Sequence, residues 1–195
     1  MKKQFRIAFM MLLSFTMLTG IVYPMFVTLV ARGIFPHQAG GSLVRRDERI
    51  IGSALIGQAF REPKYFWGRP SATSAHPYNA GASNGANLGP TNPALRDTVK
   101  QRIEALRAAD PENHDPIPVD LVTTSASGLD PHISPAAAYF QVTRVARMRG
   151  LDGARVRALV DAYVENPIWG FLGERRVNVL RLNLALDDLA KGNAS

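Results

Sequence analysis

The chain has 195 residues, no cysteine and a formal net charge of +7. The lack of cysteine excludes thiol catalysis, disulfides and zinc ribbons, and leaves the redox compartment open. Three of the 23 basic side chains, Lys2, Lys3 and Arg6, precede a hydrophobic run, and the remaining 20 are mixed with 16 acidic groups without a basic stripe or interleaved aromatics, which argues against nucleic acid as a partner.

From Ile7 to Ala31 the chain reads "IAFMMLLSFTMLTGIVYPMFVTLVA", without a single Asp, Glu, Lys, Arg or His. That exceeds the roughly 20 apolar residues needed to cross a bilayer, so a transmembrane helix is expected over 7–31. A cleaved signal peptide would have an apolar region of about 7–15 residues and a small-residue cleavage site. Near "LVARGIF" the chain has neither. A secreted domain starting near residue 32 is the competing reading. The positive-inside rule puts residues 1–6 in the cytoplasm and residues 32–195 outside the inner membrane, in the periplasm. Thr16, Gly20 and Pro24 recur at four-residue spacing, a face on which a second membrane helix could pack.

The remaining chain, 46% hydrophobic and 20% charged over the whole sequence, is about one ordinary domain. "GSLVRRDERIIGSALIGQAF" predicts a strand pair around Leu43–Val44 and Ile50–Ile51, then turns helix-like through Leu55, Ile56 and Phe60, a run after Gly52 too short to decide between strand and helix. Between Gly68 and Pro93 no period is visible, and Gly, Pro, Asn and Ser dominate. So long an irregular segment is usually functional or disordered. Trp67 and Tyr78, at or near its ends, favour order, and with Asn87 they are candidate partner contacts.

Asn92 and Pro93 open a helix with Leu95, Val99, Ile103 and Leu106 on one face. "IPVDLVTTS" reads as a strand. Ser134 and Pro135 start the next helix, with Phe140, Val145 and Met148 near one stripe and Gly150 as its stop. The arginines of "VTRVARMRG" and "ARVRALV" read as solvated faces. Asp152 caps a helix that buries Val156, Leu159, Val160 and Tyr163. "RVNVLRLNLALDDL" starts strand-like at Val177 and Val179 and turns helical through Leu182, Leu186 and Leu189. These elements lack a regular βαβ rhythm, so the expected class is α+β (mixed), a small sheet with helices, plus one N-terminal transmembrane helix.

The most polar run is "TTSASGLDPHISP", from Thr123 to Pro135. Ser125 or Ser127 with His132 and Asp130 has the residue types of a nucleophilic triad, so a periplasmic serine hydrolase on a membrane anchor is one alternative. "SASG" is not the strained G-x-S-x-G elbow, and residues so near along one loop seldom converge. The bland reading is a strand exit and helix cap whose polar groups bond local backbone, with Asp130 in an Asx-turn before Pro131. No metal-ligand spacing and no phosphate-loop motif is present.

In order along the chain, "GSALIGQAF" (52–60), "YFWGRPSAT" (65–73), "SNGANLGPTNP" (83–93), "VTTSASGLDPHISP" (122–135) and "RVNVLRLNLALD" (176–187) resemble the C subunit of the bacterial Kdp potassium-transporting ATPase over nearly the whole chain. Asn84 and Ala86 depart from the family's usual loop pattern. The resemblance implies an accessory, non-catalytic subunit of a high-affinity potassium uptake complex, assembled with a channel-like A subunit, a P-type ATPase B subunit and a small F subunit. It also implies a catalytic chaperone that raises the ATPase subunit's affinity for ATP, with nucleotide contacts in Thr123, Thr124, Ser125, Ser127 and Gly128. The charge rule places those residues on the side of the membrane away from cytoplasmic ATP, so the two expectations conflict. No firmly bound cofactor is expected.

Overall fold

The structure, a computed structural model, describes residues 1–192 and divides after Ser53 into two compact units. In the first, α1 (Lys2–Met17), a π turn (Leu18–Val22) and α2 (Tyr23–Ile34) join into one helix, Lys2–Ile34, long and apolar enough to cross a membrane. Its large apolar side chains are exposed throughout. The π turn lies just before Pro24, which has no N–H to donate to the carbonyl four residues back. Tyr23 N–H instead donates to Leu18 O, five residues back, which widens the turn. A four-residue step drifts about 40° around an α-helix, and the wider turn offsets part of that drift from Thr16 through Gly20 to Pro24.

A short α3 (Pro36–Ala39) leads into a hairpin of β1 (Leu43–Arg46) and β2 (Arg49–Ser53), the expected strand pair. Asp47 and Glu48 both have positive φ, 48° and 63°, as a two-residue I′ turn requires.

The second unit, from Ala54, holds the core. Its helices are α4 (Pro93–Ala109), α5 (Pro135–Arg149), α6 (Gly153–Ala162) and α7 (Val179–Gly192). Each of the first three begins at the expected cap: Asn92, Ser134 and Asp152 accept from the N–H of Ala94, Ala137 and Ala154. Gly150, at φ 63°, ends α5. A small antiparallel sheet orders β3 (His132–Ile133), β5 (Arg176–Asn178) and β4 (Val164–Glu165) with β5 central. Phe66, Ile133, Val145, Val156, Val160, Val177, Leu182 and Leu186 pack where helices meet sheet, all at most 2% exposed.

Five expectations give way. The stretch through Leu55, Ile56 and Phe60 is not helical. Gly57 N–H donates to Leu129 O and Ala54 O accepts from Asn178 Nδ2, so this backbone is satisfied by distant partners. "IPVDLVTTS" forms a 3₁₀ turn at Val119–Leu121, because Thr123 N–H and hydroxyl both return to Val119 O. The third strand is instead His132–Ile133, and Val179 opens α7 rather than extending β5. In α5, Met148 is half exposed, and the buried stripe runs through Ala138, Gln141, Val142 and Val145. Arg144, expected on a solvated face, is 2% exposed.

The last two corrections share a cause. Residues 63–67 lie outside any helix or sheet, turning at Pro63–Lys64 before Phe66 enters the core, and their backbone groups need partners. Asn183 of α7 clamps Phe66, accepting from its N–H (2.9 Å) and donating to its carbonyl (2.9 Å). Gln141 of α5 does the same for Trp67, at 2.8 and 3.1 Å. Arg144 donates to the carbonyls of Pro63 and Tyr65, stacks 4.3 Å from the Trp67 ring centre and holds Gln141 in place through Oε1. Burial lowers its pKa to about 10, against the opposing pull of Asp110, so it stays charged at neutral pH. Arg149 completes the clamp, bonding Lys64 O and Asp187 beneath the Tyr65 ring.

Replacing Asn183 by Leu keeps similar bulk but strands the Phe66 N–H and carbonyl. The expected cost is roughly 1–3 kcal/mol for each stranded group. It should appear as a clear drop in the melting temperature of the full chain in detergent, and an unchanged melt would refute the clamp.

Candidate functional site

The two polar segments, residues 68–93 and 123–134, lie far apart in the chain and meet face to face. Ser71 donates to Gly128 O (2.7 Å), while Asn84 N–H and Ser83 Oγ both donate to Ser127 O, at 3.1 and 3.0 Å. Close approach requires glycine on both sides. A Cβ at Gly128, whose φ is 68°, would stand 2.6 Å from Asn84 O, and one at Gly85 would stand 2.6 Å from Ala126 O. Within the first loop, Ser71 accepts from Tyr78 N–H and Thr73 from Asn79 N–H, so side chains do the work that a strand partner would do.

Arg69 and Asp130 join the loops by charge. The guanidinium meets Asp130 Oδ2 at 3.2 Å and donates to Thr124 O at 3.2 Å. Asp130 also accepts from His132 N–H in the expected Asx-turn, and His132 Nδ1 lies 3.3 Å from its Oδ1. Burial pushes the Asp130 carboxyl up, but the hydrogen bonds from His132 and the charges of His132 and Arg69 together hold it below the usual carboxylate range. Open hollows lie on both sides of this pair. One, of about 560 Å³, is lined by Ser125, Ser127 and Leu129; the other, of about 580 Å³, by Asp120, His132 and Arg175.

The structure places the sequence-predicted residues as follows. Thr123 Oγ1 donates to Val119 O, Thr124 supplies the carbonyl that Arg69 binds, and Ser125 is buried with its carbonyl accepting from Gly128 N–H. Ser127 Oγ accepts from Leu129 N–H. Tyr78, at φ 59°, packs its ring against Gly57 and Gly68 and donates to Arg69 O at 2.5 Å. Burial, reinforced by Asp130, pushes its hydroxyl up to about 12. Asn87 is exposed at φ 50°, its amide 3.5 Å from Asn84 Oδ1. Trp67 belongs to a separate apolar hollow of about 270 Å³ with Phe60, Leu106 and Leu121. Thr16, Gly20 and Pro24 lie exposed on the long helix of the first unit, with open space around Gly20.

This geometry does not make a hydrolase. The nitrogens of His132 face Asp130 and, at 3.9 Å, Glu165, and neither faces a serine. Among the described residues no group of three or more His, Asp or Glu is placed to hold a metal. The hollow beside Ser125 and Ser127 has one cation in its lining, Arg69, which is already engaged by Asp130 and Thr124. The N–H groups of Thr123, Gly128 and Leu129 are satisfied within the chain. That lining therefore offers a triphosphate a single guanidinium, already paired with a carboxylate. Arg69 and Ser71 carry most of the inter-loop bonding and stand out by no sequence period; their signal is their place in "YFWGRPSAT".

Residues 5–188 match the family model described as "KdpC: K+-transporting ATPase, c chain". The chain belongs to the KdpC family. Relatives named potassium-transporting ATPase KdpC subunit include that of Methylococcus capsulatus, 59% identical over 97% of this chain and 100% of its own. The relative from Variovorax paradoxus is 65% identical over 87% of this chain and 88% of its own, and that from Polaromonas naphthalenivorans is 60% identical over 100% and 99%. Membership in the family replaces the hydrolase alternative.

Two measurements test the interlock. Gly128→Ala should cost about 1–3 kcal/mol from strain and contact, while Gly89→Ala, with open space around the added methyl, should cost little. Because the folded-state pKa of Asp130 is depressed, its charge stabilises the fold above the unfolded value near 3.9, and this contribution is lost as pH falls through the folded value. Melting curves in acid should therefore fall more steeply for the wild type than for Asp130→Asn; parallel curves would refute the assignment.

Proposed function

We propose that this chain is the accessory C subunit of a potassium-transporting ATPase complex, anchored by Lys2–Ile34 with its N-terminus cytoplasmic and its folded domain on the outer face. There it would hold together the channel-like and ATPase subunits and shape the approach of potassium, without itself holding nucleotide. The observation that carries this reading is the interlock of 68–93 with 123–130. It ties the carbonyls of Thr124, Ser127 and Gly128 to the facing loop, and the one guanidinium beside them, Arg69, is paired with Asp130. The charges before the helix support the orientation, since Lys2, Lys3 and Arg6 precede it and only Arg32 follows before Arg45.

The chain has no cysteine, so Ser83→Cys creates a unique label site on the exposed loop. In intact cells from which the outer membrane does not exclude it, an impermeant maleimide should label this site. Protection until lysis would reverse the orientation and restore nucleotide contact as a contender. Removing residues 54–195 while keeping the first unit should abolish potassium uptake at limiting external potassium. Normal uptake by that truncated chain would sink the scaffold reading.

A further inference from the structure

Between β4 and β5 the chain reads "NPIWGFLG" and closes into a tight turn. Ile168 and Leu172 pair as an isolated antiparallel bridge, exchanging two backbone hydrogen bonds of 3.0 Å. Gly170 N–H returns to Pro167 O, which tightens the tip. Trp169, Gly170 and Gly173 take positive φ of 53°, 83° and 96°. For a bulky tryptophan that backbone is unusual, and such outliers concentrate at ligand clamps and functional sites. The turn holds its apolar side chains outward: Trp169 is 81% exposed and Phe171 73%, with Ile168 and Leu172 also exposed and the two rings 6.4 Å apart.

Four large apolar groups on one preformed knob are out of place in water, and a rigid aromatic anchor loses little entropy on docking. The rim indicates what covers them. Glu165 and Arg176 form an ion pair of 3.0 Å at the base of the knob, and Glu174 and Arg175 follow the tip. With Arg181, 3.6 Å from Glu165, two acids and three bases surround an uncharged centre, the mixed polar rim of a protein interface. A surface built to lie on anionic lipid would be predominantly basic.

We propose that the Ile168–Leu172 knob is the anchor by which this domain docks into an apolar, uncharged pocket on another subunit of the transporter, with Trp169 and Phe171 as the dominant contacts. This rests on the reading of the chain as a complex subunit and names the surface that the reading requires. The polar platform at 68–93 and 123–130 then positions its surroundings.

The test uses the assembled complex in native membranes. A photo-reactive benzoylphenylalanine at Trp169 should crosslink to another transporter subunit, identified by mass spectrometry of the adduct. An adduct with lipid, an adduct with a second copy of this chain, or no adduct overturns the proposal. In parallel, the Trp169→Ser, Phe171→Ser double variant, altered only at exposed positions, should melt like the wild type. Its retention on an affinity-tagged partner subunit after detergent extraction should fall about ten-fold or more, as expected for paired hot spots. Undiminished retention of that variant, with the wild type retained, overturns this inference alone. Failure to retain the wild type overturns the subunit reading as well. The crosslink decides the matter even if the double variant folds poorly.

Discussion

Most of the second unit is arranged around five residues of backbone. Residues 63–67 turn at Pro63–Lys64 and enter the core at Phe66, with neither a helix nor a neighbouring strand to satisfy them. Asn183 and Gln141 each bind both polar groups of one peptide residue, Arg144 takes two carbonyls and Arg149 a third. These side chains come from α5 and α7, so one irregular segment is bonded to both helices. Phe66, fully buried, supplies the apolar centre that the clamp surrounds. A buried network of this kind is stable only when complete, because a missing partner leaves an unpaired group in a medium of low dielectric constant.

The same device recurs at the surface. The loop after Trp67 has hardly any regular structure, yet Ser71, Thr73, Tyr78 and Asn79 bond its own backbone and Gly128 lets the second loop close on it. Order in an irregular segment costs conformational entropy that regular hydrogen bonding does not recover. Here short polar side chains and tight glycine contacts recover it. The result is an ordered polar surface joined by Arg69 and Asp130.

The long apolar helix and the folded unit divide the work of a membrane accessory subunit. The helix is featureless apart from the π turn before Pro24 and the small residues beside it. The folded unit holds the charge network, the interlocked loops and the knob at Ile168–Leu172. KdpC family membership agrees with that division, since every relative named above is a transport ATPase subunit and is covered over most of its length.

The sequence alone determined the long apolar helix, the hairpin at Leu43–Ser53, the caps at Asn92, Ser134 and Asp152, the stop at Gly150 and the Asx-turn of Asp130. Each of these depends on local chemistry or on apolar period, and both act within a few residues. The ordered motifs likewise carried the family. Tertiary structure decided the rest. Hydrophobic period cannot place Gln141 or Arg144 in a core, because their reason for burial is a peptide backbone more than seventy residues away in sequence. Nor does it reveal that "IPVDLVTTS" turns instead of extending, since Asp120 is drawn across to cap Ser134. Whether Ser127 and His132 meet and whether the two polar loops lock are settled by pairing between segments distant along the chain, which residue type does not encode.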